Sequence, residues 1–215
     1  MIMVNNLQPK KHNQKPKLAI IQLLIAVVCL LCSCSENDAT EEEFPDWQNT
    51  NEAYFNTIAK TARTAMATGD KTWKGFLTFT KPEGAVATIA DSIFVKVVSE
   101  GKGPGCPLSN DSVKVHYCGR LIPSKSYPEG KVFDKTFEGN VFDVTISNPY
   151  KSVVGSNITG FATALMHMHI GDHWIVYIPQ QLAYGSADNG GIPPFSMLMF
   201  EIQLDSYSRI GTPLR

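Results

Sequence analysis

With 215 residues, 43% of them hydrophobic and 18% charged, the chain has a globular composition and room for one good domain with appendages. The formal charge of −1 hides an asymmetry, because Lys10, Lys11, Lys15 and Lys17 are the only charged residues before Cys34 and leave fifteen basic against twenty acidic residues for the whole chain without them. That balance, with no basic patch, no Gly-rich phosphate loop and no G-x-S-x-G, excludes the usual signatures of nucleic-acid, nucleotide and acyl-transfer chemistry.

The four lysines precede an apolar run from Leu18 to Leu31, interrupted only by Gln22, with small residues directly after it. This is the outline of a signal peptide; at fourteen residues the run falls short of the roughly 20 that span a bilayer. Leu31-Cys32-Ser33-Cys34 resembles a bacterial lipobox, with Leu at −3, small residues at −2 and −1, and Cys34 as the residue to be lipidated. Residues 1–33 are therefore expected to be removed, and a multiply acylated Cys34 would tether the chain at the cell envelope, at the outer membrane on its periplasmic or surface face. Residues 34–45, with Glu36, Asp38 and Glu41-Glu42-Glu43, read as a solvated acidic linker.

Trp47, Tyr54, Phe55, Ile58, Ala59, Ala62, Ala65 and Met66 recur at three- and four-residue spacings, which predicts a helix with one apolar face, capped by Asp46 and ended by Gly69. No partner for that face is evident in the sequence, so dimerisation through it is one expectation, with a monomer the preferred state. Trp73 to Thr80 alternates weakly up to the turn signal Lys81-Pro82-Glu83-Gly84 and completes an N-terminal extension over 46–91. From there the pattern is that of strands: Ile93/Val95/Val97, Val113/Val115/Tyr117, the β-rich stretch Val141–Ile146, Trp174/Val176/Ile178, and Leu198/Phe200/Ile202/Leu204. One short helix interrupts the rhythm after Ile158-Thr159-Gly160, around Phe161, Leu165 and Met166. The expected fold is α+β: an antiparallel sheet of about five strands wrapped on one short helix over 92–208, with a tail at 209–215.

Several motifs stand in a fixed order: Val115-His116-Tyr117-Cys118-Gly119, Gly130-Lys131-Val132-Phe133-Asp134, Phe142, Ile158-Thr159-Gly160-Phe161, Gly171-Asp172, Leu182-Ala183-Tyr184-Gly185 and Gly191-Ile192-Pro193-Pro194. Any one of them is common, whereas the ordered set over more than half the chain resembles the FKBP-type peptidyl-prolyl cis-trans isomerase domain. The resemblance implies catalysis of X-Pro isomerisation in proline-containing unfolded or nascent envelope proteins, without a cofactor. Asp134, Tyr184 and Phe133 match the family's catalytic positions, and Tyr117, Phe142, Ile158, Phe161, Ile192 and Phe200 match its substrate-binding ones. The floor position, Trp in many members, is Phe161 here, which keeps an aromatic face but removes the indole N–H. Loops at Leu121–Lys131 and Ser147–Ser156 exceed those of the minimal domain. A binding module that grips prolyl segments or unfolded chains with little turnover is the alternative reading.

His167, His169 and His173 form H-x-H-x-x-x-H, but carboxylate or thiolate ligands at metal spacing are missing beside them, so no metal is assigned. Beside the lipidated Cys34, Cys106 and Cys118 are the cysteines that processing would leave, and the sequence alone does not decide whether they pair.

Overall fold

A computed structural model describes residue 43, residues 45–82 and residues 84–214; the expected signal peptide, Cys34 and most of the acidic linker lie outside the described residues. Among the described residues no helix is long and apolar enough to cross a membrane. The described residues hold two α-helices, α1 (Trp47–Ala67) and α2 (Thr159–Leu165). Seven strands follow the order β1 (Trp73–Leu77), β2 (Ser92–Ser99), β3 (Ser112–Arg120), β4 (Val132–Lys135), β5 (Tyr150–Val153), β6 (His173–Ile178) and β7 (Leu198–Ser208). They form one antiparallel sheet in the order β1-β2-β6-β7-β3-β4, with β5 pairing to β3 beside β4.

The α+β class agrees with the sequence, and the strand count is higher than about five. The two additions, β4 and β5, are four residues each, too short for a period-2 pattern to stand out. The expected strand at Val141–Ile146 does not form; Val144–Ile146 is a 3₁₀ turn. Asp143 explains it, since its carboxylate accepts hydrogen bonds from the Thr145 N–H at 2.8 Å and hydroxyl at 2.6 Å, a local arrangement that competes with sheet pairing.

α2 lies against the inner face of the sheet, where the alternating residues Val113, Val115, Trp174, Val176, Ile178, Phe200, Ile202 and Leu204 converge on Phe161 and Leu165 in the main core. The outer face is covered by α1. Phe55, Ala59 and Ala62 are buried together with Phe94, Ile122, Met197 and Met199, and Phe55 packs on Phe94 with ring centroids 5.8 Å apart. Polar contacts fix the helix at its start: the Trp47 indole donates to Ser196 Oγ at 2.9 Å, and the buried Asn51 accepts from the Met197 N–H at 3.0 Å. The apolar face of α1 thus has its partner within the chain, which removes the reason to expect dimerisation through it. Asp46 is the residue before the helix, but at φ 49° it lacks the extended backbone of a capping side chain, and its carboxylate instead takes the Asn49 amide at 2.9 and 3.0 Å. Beyond the helix, Gly69 adopts φ 84°, as a left-handed stop requires.

The long β3–β4 loop is built from its own turns and from the linker. Gly130 stands at φ 84°, where a Cβ would run into the Leu121 carbonyl oxygen. Glu43 accepts from the Ser124 hydroxyl, the Ser126 N–H at 3.0 Å and the Ser126 hydroxyl at 2.7 Å, and these donors hold its carboxyl below the usual range.

Before β2, a 3₁₀ turn at Ile89–Asp91 is closed by a capping box with Thr88. Asp91 accepts from the Thr88 N–H at 2.7 Å and its hydroxyl at 2.8 Å and pairs with Lys81 at 3.0 Å, so its pKa falls to about 2. A depressed carboxylate contributes stability above its unfolded value of about 4 and loses it as pH falls through about 2. Asp91→Asn is therefore expected to melt below the wild type at pH 6, with the gap closing between about pH 4 and pH 2; melting curves across that range check it, and a pH-independent gap would refute the assignment.

Candidate active site

Inward-facing residues of β3, β4 and β7, together with the start of α2, converge at the open end of the sheet. Their rings interlock edge to face. Phe161 meets Phe200 at 5.1 Å between centroids and 75°, Tyr117 meets Phe161 at 5.8 Å and 79°, and Phe133 meets Phe200 at 5.5 Å and 84°. Such contacts hold each ring in a fixed orientation, worth about 0.5–1.5 kcal/mol per pair beyond the buried area. Phe161 and Phe200 are almost fully buried and form the floor, while Tyr117, Phe133 and Ile158 are partly exposed walls. The resulting cavity, of about 320 Å³, is also lined by Asp134, Tyr150, Asn157 and Tyr184.

A β-bulge between Gly119 and Arg120 shifts the β3–β4 register, and Asp134 stands opposite Gly119, where it points into the cavity. Its carboxylate accepts a hydrogen bond from the Tyr117 hydroxyl. Burial, and after it that bond and the carboxylate's charge, push the Tyr117 phenol well above its ordinary pKa. The hydroxyl therefore stays protonated as a donor. Ile158 is the residue ahead of α2, and the helix's first internal bond runs from the Ala162 N–H to its carbonyl at 3.0 Å. Its own N–H and the three that follow have no intrahelical acceptor, and Ile158 itself lines the cavity. Tyr184, 37% exposed, stands on the loop after the 3₁₀ turn Gln180–Leu182 and closes the far side.

Of the nine pocket residues expected from the sequence, seven meet here: Tyr117, Phe133, Asp134, Ile158, Phe161, Tyr184 and Phe200. Phe142 does not. Its ring stacks on His173 at 4.7 Å and contacts Phe137 at 5.3 Å, and His173 bonds to Glu201 on the outer face. Its place is taken by Tyr150 on β5, whose ring meets Tyr117 at 5.7 Å and 82°. The signal for it was Pro149-Tyr150, an aromatic opening a short polar-apolar alternation. Ile192 is buried in the main core behind the cavity instead of lining it, with its N–H donated to Asn189 at 3.1 Å.

The three histidines go separate ways. His167 stacks on Phe76 at 4.1 Å, His169 lies 3.6 Å from Asp172, and His173 is on the other face. Burial holds His167 below its ordinary pKa. Cys106 and Cys118 are both free thiols, the first 3.8 Å from His169 and the second buried in β3.

A sheet wrapped on one helix, with an aromatic cup edged by a tyrosine-held carboxylate, defines a domain built to enclose a small apolar ring. Residues 103–205, just under half of the chain, match the family model described as FKBP-type peptidyl-prolyl cis-trans isomerase. The chain is 38% identical over 125 residues to the FKBP-type 22 kDa peptidyl-prolyl cis-trans isomerase of Escherichia coli (strain K12), covering 58% of this chain and 53% of that protein. To the protein named outer membrane protein MIP of Legionella longbeachae it is 32% identical over 158 residues, 73% of this chain and 59% of the relative. A solved peptidyl-prolyl cis-trans isomerase from Pseudomonas syringae aligns at 30% identity and a TM-score of 0.46, covering 72% of this chain and 96% of that one. The chain spans about half the length of the first curated relatives it matches.

Proposed function

We propose that this protein is a peptidyl-prolyl cis-trans isomerase, held at the cell envelope by lipid on Cys34 and acting on proline-containing chains that fold there. The Tyr117–Asp134 pair set over the Phe161/Phe200 floor is the observation that carries the reading. Uncatalysed rotation of a prolyl amide faces about 18–20 kcal/mol because the C–N bond is partly double. The twisted amide has lost resonance and much of its dipole, so a water-poor aromatic cup accommodates it better than the planar ground state. No bond is made or broken. Phe161, Phe200 and Phe133 would hold the pyrrolidine ring, Asp134 would lie beside the rotating carbonyl, and the Tyr184 hydroxyl and Ile158 N–H would bind the flanking backbone.

The supports for envelope tethering are the lysine-led apolar run, the lipobox-like Leu31–Cys34 and the name of the Legionella relative. Labelling with a radioactive fatty acid should mark the wild-type chain and miss Cys34→Ala. The isomerase reading is tested with a protease-free assay on a short prolyl peptide. Acceleration over the uncatalysed rate is expected; a rate equal to it, unchanged in Asp134→Val and Tyr184→Phe, would reject the reading.

A further inference from the structure

The prolyl cavity does not end at its aromatic wall. β4 and β5 lie one after the other along the same edge of β3, and between them a second cavity of about 580 Å³ opens. Tyr117 and Tyr150 line both cavities and form the partition between them. The side away from the prolyl cup is edged by Lys135 on β4 and Lys151 on β5, with the polar Asn148 between.

The lysines of this edge make no close ion pair among the described residues, Glu201 lying across Cys118 from Lys135 and Asp205 at the β7 bulge beside Lys114. Lys135 Nζ donates to the Gly139 carbonyl and lies 5.3 Å over the Phe137 ring, neither of which carries a negative charge. Lys151 stands directly opposite Lys114 in the β3–β5 register, a like-charge cross-strand pair that is unfavourable unless an anion is near. Among the described residues none of these three lysines has a carboxylate within 4.0 Å, although Lys74, Lys81 and Arg209 all do. The one carboxylate in the adjoining cup, Asp134, is already engaged by the Tyr117 hydroxyl.

We propose that this lysine-edged cavity is a specificity subsite for an acidic side chain of the client, placed about two or three residues from the proline along an extended chain at about 3.3 Å per residue. The inference rests on the reading of the cup as a proline site. Glu or Asp in the client fits because its carboxylate meets two lysines at once, while the backbone passes the Tyr117/Tyr150 partition. A client lysine at the same place meets only like charge. The groove thus adds a charge preference to a cup that reads shape alone.

The experiment uses prolyl peptides that differ only in Glu, Gln or Lys at positions two and three from the proline on either flank. Their kcat/KM values are compared on the protein lacking the signal peptide. On at least one flank the Glu peptide is expected to exceed the Lys peptide by about fivefold, the upper range for exposed charge pairs, with the ratio falling toward one at high salt. Lys151→Glu should invert the ratio; because each ratio is taken within one protein, a loss of overall activity does not disturb it. Turnover of all peptides with equal Glu and Lys values on both flanks overturns the subsite and leaves the isomerase reading standing. If no peptide is turned over, the isomerase reading fails instead, and calorimetric affinities for the same peptides decide the subsite by the same ratio.

Discussion

Replacing Asp134 by valine is expected to lower kcat/KM on a prolyl peptide by about 10- to 100-fold, the range set by loss of a hydrogen bond to a charged group, about 1.5–3 kcal/mol. The carboxylate has two tasks in the cup. In the proposed reaction it would face the amide that rotates, and it fixes the Tyr117 hydroxyl, whose ring in turn abuts Phe161, Phe200 and Tyr150. Valine is close to aspartate in size but accepts nothing, so the Tyr117 phenol loses its partner in the half-buried wall. The cost to stability should be smaller than the cost to turnover, because the cavity is open and water can satisfy the hydroxyl. Two further readouts separate a local effect from misfolding. Tyr117 ionises above the ordinary range partly because of Asp134, so ultraviolet titration of the variant should show a tyrosine moved back toward that range. Tyr117→Phe should cost less than Asp134→Val, and the double variant should cost less than the sum, because both remove the same bond. Strictly additive losses would show that the two groups act independently and would undo the proposed arrangement.

How far the sequence reached can be judged from the residues that decided it. The cup was legible where its members sit inside short motifs on regular elements, as Tyr117 does in β3, Phe133-Asp134 in β4 and Ile158 to Phe161 at the start of α2. Tyr150 was missed because the chain between Phe133 and Phe161 holds an extra aromatic, Phe142, and because the strand carrying Tyr150 is only four residues long. Local propensity pointed to the wrong stretch as well: Val141–Ile146 is β-rich, yet Asp143 diverts its backbone into a 3₁₀ turn. The helix α1 was readable from its period, but its partner was not, since contacts such as Trp47–Ser196 and Asn51–Met197 join residues 149 and 146 positions apart. One trace of that packing was in the sequence. Ile93, Phe94 and Val95 are all buried, which an alternating strand with one wet face would not allow, and the unbroken apolar run marks a strand covered on both sides. The histidine cluster shows the opposite lesson: close spacing in sequence put His167 and His173 at unrelated places, because a strand start and a turn lie between them.

The second large effect comes from a residue with no side chain. Gly119 lies in β3 behind Phe133 and Phe200, and a Cβ built there would stand 2.5 Å from two atoms of the Phe133 ring and 2.8 Å from Phe200. Real carbon contacts do not occur at those distances, and the two rings are held edge to face at 5.5 Å, so Gly119→Ala must push one or both into the cup. Overpacking of this kind costs about 1–3 kcal/mol, and kcat/KM should fall by at least as much as in Asp134→Val, since wall and floor move together. Stability and activity can be separated by relieving the clash. In Gly119→Ala/Phe133→Leu the smaller side chain gives the methyl group room, so the melting temperature should recover toward that of Phe133→Leu alone, while activity stays low because the aromatic wall is gone. Recovery of both would mean that Phe133 only supports the fold. Recovery of neither would place the need for glycine in the backbone of β3, at the bulge that turns Asp134 toward the cavity.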